Sequence, residues 1–94
     1  MPVGEKEWAL YSLNKRARFR VLQGKAVVVH LEKGEVIGLN KTGTAVLKAI
    51  VDGDSLDDAK RALEKSGASK KTIEDDVSAF LNALLDQKIL EKSE

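Results

Sequence analysis

Cysteine is absent from this 94-residue chain. That excludes a disulfide scaffold, a thiol nucleophile and a zinc site built on thiolates. Histidine occurs once, at position 30, with no second metal-ligating partner nearby in sequence, so His30 reads as a surface or edge residue of a strand and no metal is expected. No apolar run approaches the length that crosses a membrane, and the N-terminus MPVGEKEWALYSLNKR is too polar for a signal peptide. A cytoplasmic location without a membrane partner is the resulting expectation. A dominant charge of either sign is also lacking, since the net charge is +1. No glycine-rich phosphate loop and no catalytic constellation are present, so neither an enzyme nor a cofactor is expected.

What is present fills one domain. Residues 1–52 hold nine Lys/Arg against five Asp/Glu, and residues 53–94 seven against ten. Much of the positive excess lies in Lys15-Arg16-Ala17-Arg18-Phe19-Arg20. Residues 1–7 read as a loose terminus. Trp8, Leu10, Tyr11 and Leu13 are apolar enough to pack on the body, and residues 1–16 are assigned to an N-terminal arm. Residues 17–92 are assigned to the folded domain.

Within that domain the hydrophobic period changes once. Residues 17–23, 26–32 and 35–39 alternate or are β-branched, with turns at Gly24-Lys25 and Lys33-Gly34, which predicts a three-stranded antiparallel β-meander. From Val46 the period is helical, through Leu47, Ile50 and Val51. Asn40 stands where this helix needs an N-cap and Gly53 where it needs a C-cap. Ser55 opens a second helix with the stripe Leu56, Ala59 and Leu63, ending at Gly67. Ser69 caps a longer third helix, whose core stripe is Ile73, Val77, Phe80, Leu81 and Leu84, before an Ile89-Leu90 tail. The expected fold is α+β, the meander followed by a three-helix winged helix-turn-helix bundle.

Several features admit more than one reading. Asp57-Asp58 and Glu74-Asp75-Asp76 fall in helix first turns, where the macrodipole favours acids. Asp76 nonetheless lies beside the core stripe, a position suited to a specific bond. Gly38, a glycine inside a strand, marks either close approach of another backbone or a small residue beneath a neighbouring side chain. One flank of the third helix, Thr72, Asp76, Ala79 and Ala83 with Phe80 at its border, is shallow. It either packs on the meander or floors a groove whose other wall is Glu35, Val36, Ile37, Gly38 and Leu39. A winged helix-turn-helix also raises DNA binding as the alternative function, but three acids in the third helix oppose a phosphate backbone, and no nucleic acid partner is expected.

Gly34-x-x-x-x-Leu39-Asn40-x-Thr42-Gly43, the following Asp52-Gly53, the later Asp76-Val77-x-x-Phe80-Leu81-x-x-Leu84 and the Ile89-Leu90 tail together resemble the PqqD-like family, the fold also called the RiPP recognition element. The resemblance covers about residues 17–90. It implies that the leader segment of a ribosomally made precursor peptide adds as a strand beside the third strand and lies against the third helix. It also implies a separate modifying enzyme or leader protease as second partner. Stand-alone members occur in lasso peptide clusters, and the chain resembles such a member. The segment Trp8–Leu13 matches no feature of the family.

Overall fold

A computed structural model describes residues 4–93. The elements run α1 (Glu5–Trp8), β1 (Tyr11–Leu13), β2 (Ala17–Leu22), β3 (Lys25–His30), β4 (Glu35–Gly38), α2 (Lys41–Asp52), α3 (Leu56–Lys65), α4 (Lys70–Asp86) and β5 (Leu90–Lys92). The fold is mixed α+β. β2, β3 and β4 form an antiparallel sheet in that order, and β1 pairs with β5 in a second, two-stranded sheet. The third strand and third helix expected from the sequence are therefore β4 and α4.

Turn chemistry explains the meander. Gln23 and Gly24 both have positive φ, the signature of a two-residue hairpin whose twist matches its strands. The second turn is longer than the sequence suggests. Leu31 and Glu32, expected in the strand, belong to it, and the Gly34 N–H closes it on the His30 carbonyl at 2.8 Å. Leu31 is accordingly exposed.

Helix ends follow local caps. The Asn40 side chain accepts from the Gly43 N–H at 2.9 Å, and Gly53 ends α2 in the left-handed region. Ser55 Oγ accepts from the Asp58 N–H in α3. Ser69 occupies the N-cap position of α4 but makes no capping bond; its hydroxyl lies 3.1 Å from that of Thr72. At the other end of α4, Lys88 takes positive φ and the Ile89 N–H reaches back to the Leu84 carbonyl, a Schellman-type closure that turns the chain into β5.

The core lies between the inner face of the β2–β3–β4 sheet and the helices, with Val28, Val46, Leu47, Leu63, Val77, Leu81, Leu84 and Ile89 fully buried. Two residues expected there differ. Val51 is exposed, because the α2 stripe is carried by Val46, Leu47, Ala49 and Ile50, and Phe80 is only half-buried at the edge of the α4 stripe. His30, expected at the surface, is buried with 4 % exposure. It shares strand parity with Ala26 and Val28, and so points inward with them. Its Nδ1 accepts from the Lys33 N–H, which places the ring proton on Nε2.

Residues 5–7, expected to be loose, are helical and tied down. The Leu56 and Asp57 N–H groups at the start of α3 donate to the Glu5 carboxylate, and the Trp8 indole N–H donates to the Asp54 carbonyl at 2.9 Å. Trp8 is buried in the common core. Glu7 accepts from Lys92 Nζ at 3.0 Å and from the Tyr11 hydroxyl at 3.2 Å, joining the two ends of the described chain. The Lys92 bond first, then the Tyr11 hydroxyl, hold the Glu7 carboxyl below its ordinary value of 4.5. A carboxyl lowered by folding stabilises the fold while ionised, and loses that contribution as pH falls through the lowered value. Wild type should therefore melt above Glu7→Gln at neutral pH, and the gap should close as pH drops below 4.5. Melting curves across acid pH check this; a gap that stays constant would remove Glu7 from the account.

Among the described residues no helix is long and apolar enough to cross a membrane.

Candidate functional site

β4 is an edge strand, hydrogen-bonded to β3 on one side only. Its register pairs Val27 with Gly38, Val28 with Ile37, Val29 with Val36 and His30 with Glu35. The Leu39 N–H continues the ladder to the Ala26 carbonyl at 2.8 Å. Antiparallel bonding alternates, so Leu39, Ile37 and Glu35 direct their main-chain groups to β3. Val36 and Gly38 direct theirs to the open edge. These are unpaired strand groups of the kind that template an added strand.

The junction after β4 keeps that edge short. Thr44 is buried, and its hydroxyl accepts from the Ala26 N–H at 2.7 Å. That N–H is the donor a longer β4 would otherwise take, so a side chain of α2 replaces the strand there. The Asn40 cap starts the helix at the same point. Thr44 was not singled out in the sequence, since a lone threonine in a helix carries no local signal of a bond to a strand eighteen residues earlier.

Side chains of β4 alternate between the faces. Ile37 packs half-buried on the core, whereas Val36 is 67 % exposed on the outer face. Leu39 is buried and contributes to the core, and Glu35 is exposed. Gly38 has neither of the expected neighbours: nothing lies within 4 Å of where its Cβ would be, and its φ is ordinary for any residue.

On α4, Thr72, Ala79 and Ala83 are exposed, and Asp76 and Phe80 are half-buried. This flank is therefore not packed beneath the sheet, the first of the two readings above. Thr72 Oγ1 donates to the Ser69 carbonyl, so its hydroxyl is engaged locally. Asp76 has no hydrogen-bond or ion-pair partner among the described residues. The helix-dipole account of its cluster also fails, because α4 begins at Lys70 and its first turn holds no acid. Glu74, Asp75 and Asp76 lie beyond that turn, where the dipole effect has decayed. Phe80 connects the two walls: its ring rests against Gly43, beside the Asn40 cap at the end of β4.

The basic run lies elsewhere. Arg18 and Arg20 point to the outer face of the sheet, alternating with the inward Phe19 and Val21, and Arg18 donates to the Lys15 and Ala17 carbonyls. The cations and α4 thus do not form one surface for a phosphate backbone. Among the described residues no group of three or more His, Asp or Glu side chains is placed to hold a metal ion.

An open antiparallel edge and an uncovered helix flank are the two features that strand addition uses in general, main-chain bonds on one and side-chain contacts on the other. Residues 25–90, more than half of the chain, match the family model of PqqD, coenzyme PQQ synthesis protein D. The chain belongs to the PqqD family. No curated protein matches its sequence. Its fold is similar to that of "TbiB1 in Complex with the TbiA(beta) Leader Peptide", with a TM-score of 0.76 and 21 % identity over 88 % of this chain and 98 % of that one. It is likewise similar to "Lasso peptide synthetase B1 complexed with the leader peptide", with a TM-score of 0.76 and 19 % identity over 87 % and 98 % of the two chains.

Proposed function

We propose that this protein binds the leader segment of a ribosomally synthesised precursor peptide as an added strand on the edge of β4, and presents it to a separate modifying enzyme or leader protease in the cytoplasm. The observation that carries the reading is the free edge at Val36 and Gly38, together with the exposed Ala79–Ala83 flank, in a chain of the PqqD family. The two similar structures, both named as leader-peptide complexes, support it. On this reading α2, α3 and α4 form a winged helix-turn-helix bundle, residues 17–92 are the recognition domain with residues 1–16 as its arm, and the protein binds without catalysing.

Main-chain bonds give each added residue only about 1 kcal/mol net, so contacts with Ile37, Phe80, Asp76 and the two alanines supply the discrimination. Fluorescence anisotropy with a labelled leader, set against electrophoretic mobility with duplex DNA, tests the reading. Saturable binding of DNA with none of the leader would sink it.

Asp76 is the polar member of the flank. Its carboxylate is half-buried and unpartnered, which suits a basic or hydrogen-bond-donating group of the leader. Asp76→Asn should weaken leader binding by about 1–3 kcal/mol and flatten its dependence on salt. Equal affinity and equal salt dependence would leave Asp76 a surface charge.

A further inference from the structure

Gly43 has a left-handed alternative open to it and does not use it: its φ is not among the positive ones. Backbone freedom therefore does not account for a glycine in the first turn of α2, where it costs helix propensity. Space does. A Cβ at position 43 would stand 2.8 Å from Cε1 of Phe80, closer than real Cβ atoms come, and 3.0 Å from Cδ1.

The conflict resolves most readily at the ring, the far end of a side chain. The start of α2 is held to the sheet by the Ala26 N–H of β3, which donates to Thr44 Oγ1 at 2.7 Å, and its first turn is fixed internally by the Asn40 cap. Phe80 cannot turn inward. On its core side stand Ile73, Val77 and Leu84, each 2 % exposed or less, in an interior packed too densely to admit a ring. Its open side is the flank of Asp76 and Ala83, which are half-buried and exposed.

We infer that Gly43 is a positioning residue for leader binding: its missing Cβ lets the Phe80 ring lie on the first turn of α2, and so keeps the ring off the Asp76–Ala83 flank of α4. The inference rests on the proposed function for its consequence, but its geometry can be read without any ligand.

The test uses the 94-residue chain and fluorescein-labelled synthetic leaders of candidate precursor peptides. Gly43→Ala should weaken binding about tenfold or more, as the displaced ring covers the flank the leader would contact. Its melting temperature should hold or rise, since alanine favours the helix. With Phe80→Leu already in place, adding Gly43→Ala should leave affinity within about twofold, because the two effects run through one contact. In the protein without peptide, the Phe80 ring proton resonances should shift on Gly43→Ala. Unchanged affinity, an unmoved ring, an equal loss in both backgrounds or early melting would each overturn the positioning role. A wild type that binds no leader, while the ring still moves on Gly43→Ala, would overturn the functional reading and leave the Gly43–Phe80 contact as packing alone.

Discussion

Val36→Pro should fold like the wild type and lose the leader. The Val36 N–H points to the open edge, so the ring removes no bond to β3, whose ladder runs through Glu35, Ile37 and Leu39. Proline is tolerated at an edge position whose N–H faces solvent. The side chain it replaces is 67 % exposed, so little apolar burial is lost. For the added strand the change is severe. One main-chain bond disappears, a leader carbonyl is left without its donor, and the ring obstructs the approach. Together these cost about 2–4 kcal/mol, on the order of a hundredfold in Kd. Amide exchange adds a direct reading: binding should slow exchange at Val36 and Gly38 in the wild type. Should Val36→Pro melt normally and still bind the leader at wild-type affinity, pairing on this edge is wrong. Ile37→Pro serves as the contrast, because its N–H faces β3 and its loss should unfold the sheet.

The adjacent residues Ala83 and Leu84 should part company completely. Leu84 is 2 % exposed in the α4 stripe, so Leu84→Ala opens a cavity worth about 2–5 kcal/mol. At roughly 4–8 °C per kcal/mol for a domain of this size, that is a loss of about 8 °C or more in Tm. Binding should fall only as the fold does. Ala83 is exposed on the open flank, and Ala83→Leu keeps helix propensity while removing no core atom. Its stability should stay within about 0.5 kcal/mol of wild type. The added side chain fills the space a docked strand needs, so leader binding should be abolished. Paired melting curves and anisotropy titrations check both. An Ala83→Leu protein that binds normally would move the groove off this flank.

Much of the fold is legible before any coordinates. Asn40, Gly53 and Ser55 cap their helices where their residue types and spacing say they should, because a cap acts within a turn of itself. The change from a two-residue to a helical period locates the step from β4 to α2. The motif Leu39-Asn40-x-Thr42-Gly43 with the Asp76–Leu84 helix is enough to suggest the PqqD family, to which the chain belongs. The exposed alanines were also legible, as small residues off the core stripe of α4.

Other features were closed to that kind of reading. β1 and β5 are each three residues long and lie at opposite ends of the chain, so neither carries a period and their pairing has no local sign. His30 was misplaced because its chemistry was weighed above its parity with Ala26 and Val28. The acids of α4 resemble first-turn residues by type, but the helix that Ser69 starts reaches them only after Lys70, Lys71, Thr72 and Ile73.

The order of the three meander strands and the three longer helices, the caps of α2 and α3 and the family are legible in the residues alone, since capping, turn geometry and hydrophobic period are set by residues a few positions apart. Only the folded arrangement shows which two residues of β4 turn their main chain outward and which side of Phe80 is open. Those depend on register and close packing between segments far apart in the chain, where a shift of one residue reverses every assignment.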